Sequence, residues 1–133
     1  MRRVLLVEDS ASMRAFVRAA LQSSPALGQL EIAEAQSGFD ALRLLPRGAW
    51  DLVITDINMP DINGLELISF IKKSEAHKTT PILIISTASS ERDRERGMTL
   101  GASGYLVKPF TAEALAAHAL EQIGAASASG AHA

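Results

Sequence analysis

Five short apolar runs rich in β-branched residues recur along the chain, each followed by a stretch with helical periodicity, and this alternation limits the fold more than any other feature. The runs occupy residues 4–7, 32–34, 52–55, 82–86 and 105–107. Strands that alternate with helices are joined by crossovers, so the expected fold is α/β with a parallel sheet. Three of the runs are almost continuously apolar, as strands become when helices cover both faces. The second run is bracketed by Glu31 and Glu34, which a fully buried strand would not carry, and is expected at an edge.

The intervening stretches differ in how firmly they declare themselves. In the first, Met13, Phe16, Val17, Ala20 and Leu21 recur at helical spacing, with Ser10 or Ser12 available as a cap. In the third, Leu65, Ile68 and Ile71 form one stripe after Gly64; Gly38 and Gly64 suit turns or helix entries. The fourth, over 89–96, reads Ser-Ser-Glu-Arg-Asp-Arg-Glu-Arg, with only Met98 and Leu100 as apolar followers. That pattern suits a solvated helix laced with ion pairs, and Gly97 within it costs about 1 kcal/mol relative to alanine. The fifth spans 111–123 and carries Leu115, Ala119 and Leu120. Residues 1–123 are therefore expected to form one domain, and the Ala/Ser/Gly-rich segment 124–133 a flexible tail without regular structure.

Bulk properties remove several function classes. With 133 residues, 47% of them hydrophobic, the chain can bury one good core. A net charge of −2 offers no basic stripe for nucleic acid. With no cysteine there is neither a disulfide nor a thiolate metal site. The opening apolar run is too short for a signal peptide core or a membrane span, so a cytoplasmic protein without membrane association is expected. The three histidines, His77, His118 and His132, show no metal-ligand spacing and are expected at the surface; Trp50 is expected to pack at the rim.

The chemistry collects where the strands end. In open parallel sheets, ligands bind beyond the carboxyl ends of the strands. The first strand ends in Glu8-Asp9, the third in Asp56, the fourth in Ser86-Thr87 and the fifth in Lys108-Pro109. Taken singly, each residue has a plainer reading: acids at a helix start, a turn aspartate, a surface lysine. Together they place three carboxylates, a hydroxyl and an ammonium at one sheet edge. Carboxylates so close repel one another unless a proton or a cation intervenes. A hard divalent cation such as Mg²⁺ takes oxygen ligands and commonly pairs with phosphate. A carboxylate beside such a cation and a lysine suits nucleophilic attack on phosphorus.

The ordered set Val7-Glu8-Asp9-Ser10, Ile54-Thr55-Asp56-Ile57-Asn58-Met59-Pro60, Gly64-Leu65-Glu66-Leu67, Ser86 and Gly101-Ala102-Ser103-Gly104-Tyr105-Leu106-Val107-Lys108-Pro109-Phe110 resembles the receiver domain of two-component response regulators, chemotaxis-type members most of all. The resemblance covers nearly the whole chain. It implies a flavodoxin-like fold with five parallel strands in the order 2-1-3-4-5 and five helices on both faces. It also implies Asp56 as phosphoacceptor, with Lys108 and Ser86 aiding the transfer. Glu8, Asp9, Asp56 and the backbone carbonyl of Asn58 would bind Mg²⁺, and Ser86 and Tyr105 would form a switch pair. The phosphoryl donor would be a sensor histidine kinase or a small molecule such as acetyl phosphate. The fourth helix, fifth strand and fifth helix would meet a downstream protein target. A cis Lys108–Pro109 bond is implied as well. Ser86 stands where threonine is common in the family, and Thr87 where alanine or glycine is.

Such a chain is a switch with slow self-dephosphorylation, not a turnover enzyme. A free-standing chemotaxis-type regulator is the expectation; the alternative is the receiver piece of a longer regulator. An Asp-nucleophile phosphatase of the haloacid dehalogenase type would want a second aspartate where Asn58 stands. A flavin carrier would want a phosphate-binding loop where Glu8 and Asp9 stand.

Overall fold

The computed structural model describes residues 1–131 and joins the five runs in one parallel sheet. Its strands are β1 (Arg2–Val7), β2 (Leu30–Ala35), β3 (Leu52–Asp56), β4 (Ile82–Thr87) and β5 (Gly104–Lys108), hydrogen-bonded in the order β2-β1-β3-β4-β5. The helices are α1 (Ala11–Gln22), α2 (Gly38–Leu44), α3 (Gly64–Lys73), α4 (Glu91–Leu100) and α5 (Ala112–Ala131). This is the flavodoxin-like arrangement expected from the sequence.

Alternation along the strands divides the core between two layers. Leu5, Val7, Val53 and Ile84 join Ile68 and Ile71 of α3 on one face. Val4, Leu6, Ile54 and Leu83 join Val17 and Leu21 of α1 and Leu115 of α5 on the other. Each such burial is worth about 1.5–3 kcal/mol. β2 lies at an edge, where Glu31 reaches Arg3 (3.1 Å) and Glu34 reaches Arg14 (3.2 Å) and Arg18 (2.7 Å). Exposed pairs of this kind contribute at most about 1 kcal/mol each, so they tolerate the edge rather than build it.

The register levels the carboxyl ends of the strands. Val7 pairs with Ala35 and Thr55, Asp56 with Ile85, Ser86 with Val107 and Thr87 with Lys108. Local signals then turn the chain into the next helix. Ser10 accepts a hydrogen bond from Met13 N and starts α1; Asn63 and Glu66 form a reciprocal capping box at the start of α3.

Four expectations were not met. Helix α5 continues through Ala131, into the segment 124–133 expected to lack structure, while residues 132 and 133 lie outside the described residues. Alanine is the best helix former, and extending an existing helix avoids the cost of nucleation. Ile123 is the last buried side chain among those described. His77, expected at the surface, is only 6% exposed, and its Nδ1 has no partner among the described residues. The loop after α3 doubles back through bonds from His77 N and Lys78 N to the Ser74 carbonyl, which tucks the ring inward. Phe16 is 40% exposed, its ring tilted against Phe110 at 5.9 Å instead of entering the core. Trp50 is buried rather than at the rim: its Nε1 donates to the Leu45 carbonyl, and the Arg3 guanidinium covers its ring.

Close approach explains the glycines at the start of α3 and inside α4. A Cβ on Gly64 would strike the backbone carbonyl of Asp56 and the Ile57 Cα, so α3 can pack against the end of β3 only without a side chain there. A Cβ on Gly97 would meet the methyl end of Ile84, which explains a glycine inside α4. Backbone cannot yield as a methyl can. Gly64→Ala is therefore expected to lower stability by about 1–3 kcal/mol. Gly97→Ala should lose less, because helix propensity returns about 1 kcal/mol. Urea denaturation of both variants checks this, and a stabilised Gly64→Ala would contradict it.

Candidate functional site

Glu8 follows β1 with its backbone N bonded to the Ala35 carbonyl, and its side chain is fully buried. Both carboxylate oxygens are engaged: Oε1 accepts from Lys108 Nζ at 2.7 Å and Oε2 from Ser10 N at 3.0 Å. Asp56, at the end of β3, is 8% exposed. Its Oδ1 accepts from Ile57 N at 2.7 Å and its Oδ2 from Lys108 Nζ at 3.1 Å. Asp9 is exposed beside them. Ligand oxygens of Glu8, Asp9 and Asp56 all lie within 4.8 Å of one another. The cis Lys108–Pro109 peptide agrees with the expectation.

Burial pushes the Glu8 carboxyl above its ordinary range, against the lowering effect of Lys108 and the Ser10 amide. Burial acts on Lys108 in the downward direction, but the Glu8 hydrogen bond and the Asp56 charge outweigh it and hold the ammonium above its usual range. Three carboxylates against one ammonium leave two net negative charges when all are ionised. The donors are hard oxygens, Asp9 is open to solvent, and the charge matches a divalent cation. The residues fit such an ion.

The remaining expected residues stand around this cluster. Ser86 is fully buried at the end of β4, with Arg94 Nη1 3.5 Å from its Oγ. Tyr105 is 47% exposed, turned outward from β5. The Asn58 side chain donates to Ser90 Oγ at 3.2 Å. Thr87 does not use its hydroxyl toward the acids; it bonds Ser89 and Ser90 within the turn between β4 and α4. Sequence reasoning missed Ser90 and Arg94. Both sit in the polar run 89–96, where every position offers a hydroxyl or a charge and none stands out. An apolar cleft of about 480 Å³ between α2 and α3, lined by residues such as Leu42, Phe70 and His77, carries no acidic side chain. It is not where this chemistry resides.

The sequence matches the family model described as the response regulator receiver domain over residues 4–120. The chain belongs to that family. The receiver is 36% identical over 113 residues to chemotaxis protein CheY-3 of Vibrio cholerae serotype O1, a match covering 85% of each chain. It is 37% identical over 114 residues to chemotaxis protein CheY of Pseudomonas aeruginosa, covering 85% of this chain and 89% of that one. Among solved structures it superposes on the chemotaxis response regulator CheY4 of Vibrio cholerae with a TM-score of 0.80 at 35% identity, over 92% of this chain and 98% of the other. A CheY-like receiver from Methanospirillum hungatei JF-1 gives a TM-score of 0.86 at 19% identity, over 97% and 98% of the two chains, a likeness of fold alone. As a receiver the chain is a signalling domain, consistent with a phosphoacceptor switch. Among its described residues no helix is long and apolar enough to cross a membrane.

The crowding of the acids has a measurable cost. Asp9→Asn removes one of three neighbouring carboxylates and should stabilise the receiver in metal-free buffer. At separations under 4.8 Å the relief is on the order of 1 kcal/mol. A thermal midpoint that falls in the absence of divalent cations would contradict this account of the cluster.

Proposed function

We propose that Asp56 receives a phosphoryl group from a sensor histidine kinase and that the receiver, residues 1–123, then alters its α4–β5–α5 face to control a downstream protein. The observation that carries the reading is the Lys108 ammonium held between Glu8 and Asp56, at 2.7 and 3.1 Å. It leaves a carboxylate at the mouth of the site next to a fixed cation. The new bond forms between an Asp56 carboxylate oxygen and phosphorus. The bond from phosphorus to the donor breaks, and the histidine nitrogen or acetate oxygen departs with that electron pair.

Each residue contributes a separate effect. The Ile57 amide on Oδ1 holds the Asp56 carboxylate in one orientation. Lys108 would take a phosphoryl oxygen, a role supported by its bond to Asp56 Oδ2 being the longer of its two. The Ser86 hydroxyl would meet a second oxygen. Such fixed charges and donors supply most of what phosphoryl transfer needs. Asp9, Asp56 and the Asn58 carbonyl would hold Mg²⁺. Glu8, with its oxygens engaged by Ser10 N and Lys108, would add its negative charge to the ion's site. When bound, the ion neutralises the acids and the incoming phosphoryl oxygens.

The switch pair would be Ser86 and Tyr105. The outward ring of Tyr105 and the weak anchorage of α4, whose only buried residue is Gly97, support a movable face there. The process is self-catalysed transfer with slow hydrolysis, without turnover of a released substrate. A free-standing cytoplasmic chemotaxis-type regulator is the reading favoured by the chemotaxis relatives; the alternative is the receiver of a longer regulator.

Acetyl phosphate with Mg²⁺ should add a single phosphoryl group, detected by intact mass, and chelation of the metal should prevent it. Asp56→Asn should take none. Equal labelling of that variant would remove Asp56 from its role.

A further inference from the structure

We propose that Arg94 is the plug of the switch: at rest its guanidinium fills the slot beside Ser86 that Tyr105 enters on activation. The inference rests on the reading of Ser86 and Tyr105 as the switch pair. It adds a residue from α4, the element without apolar anchors.

The contacts of Arg94 define the device. Its Nη1 donates to the Thr87 carbonyl at 2.7 Å and lies 3.5 Å from Ser86 Oγ. Its Cζ sits 5.5 Å from the centroid of the Tyr105 ring. One guanidinium therefore touches both members of the pair and the turn that joins β4 to α4. The bond to the Thr87 carbonyl is short and charge-assisted, whereas the one to Ser86 is at the weak limit of hydrogen bonding. Ser86 is fully buried and Tyr105 is 47% exposed, and Arg94 bridges the space between them. Packed interiors hold one occupant per site, so this Arg94 rotamer and an inward Tyr105 exclude each other.

Activation is then an exchange of occupants. A phosphoryl group on Asp56 draws the Ser86 hydroxyl toward itself, and the weak contact to Arg94 is the one that breaks. The strong contact to Thr87 breaks only if the guanidinium leaves the slot. Because Arg94 belongs to α4, its departure reports the state of Asp56 directly to that helix. Cation–π attraction to Tyr105 adds to the resting side of the balance.

Removing the plug should populate the active arrangement before any phosphoryl group arrives. An enlarged competent fraction tightens the binding of a ligand that selects that state. Beryllofluoride with Mg²⁺, a phosphoryl mimic, serves as the probe on the full chain, with the Tyr105 ring resonances followed by NMR. In Arg94→Ala the ligand-free ring resonances should move toward the beryllofluoride-bound positions. The apparent affinity should rise at least about fivefold, the low end of ordinary couplings between sites. Arg94→Lys keeps the charge but loses the planar fork, and should shift both readouts less, in the same direction; it carries the test if the alanine variant fails to fold. Arg92→Ala makes the same charge change on the same helix and should alter neither.

Wild-type protein that binds beryllofluoride, together with Arg94 variants whose rings and affinities are unchanged or weakened, would overturn the plug and leave the phosphoacceptor reading standing. An equal effect from Arg92→Ala would overturn it by assigning the change to helix charge. Wild-type protein that neither binds beryllofluoride nor labels at Asp56 would overturn the underlying reading, and the plug with it.

Discussion

Lys108 Nζ ties together the ends of three strands: it bonds Glu8 beyond β1 at 2.7 Å and Asp56 on β3 at 3.1 Å from its own place at the end of β5. The rest of the site follows from that bridge. It allows Glu8 to be fully buried and Asp56 nearly so, which unpaired carboxylates would resist. The bridge depends in turn on parallel register, because only parallel strands deliver all their carboxyl ends to one edge. It also depends on Gly64, whose missing side chain lets α3 close against the backbone of Asp56. The fold and the charge arrangement are one problem.

The bridge is incomplete by design of its charges. One ammonium cannot neutralise three carboxylates; burial holds Glu8 above its ordinary range, while Glu8 and Asp56 hold the Lys108 ammonium above its own. A site left negative in this way suits a divalent cation. Stability given up in this manner is common where a site must accept a ligand. The resting arrangement thereby holds a bias toward binding.

Much of this was legible in the sequence because the relevant signals are local. Apolar runs announced the strands, and Glu31 and Glu34 placed β2 at an edge. Residues at the ends of four of the runs were expected to converge, since a parallel sheet converts position at a strand end into spatial proximity. What could not be read depended on contacts between distant elements. His77 looks like loop surface until the turn on Ser74 buries it. Gly97 looks like a flaw in a helix until Ile84 is seen beneath it. Arg94 is one arginine among three in the run 92–96, and only the crossing of α4 over the end of β4 singles it out. The helical continuation to Ala131 was hidden by glycine and serine, which suggest a linker, among alanines that favour a helix.

The central claim is that Lys108, Glu8, Asp9 and Asp56 form one phosphoryl-accepting site. A crystal structure of the chain with Mg²⁺ and beryllofluoride tests it most directly. The account predicts beryllium bonded to an Asp56 carboxylate oxygen, Lys108 Nζ moved from Asp56 to a fluorine, and the ion on the side of Asp9. Beryllofluoride bound to another carboxylate, or Lys108 still bridging Glu8 and Asp56 beside an occupied site, would contradict it.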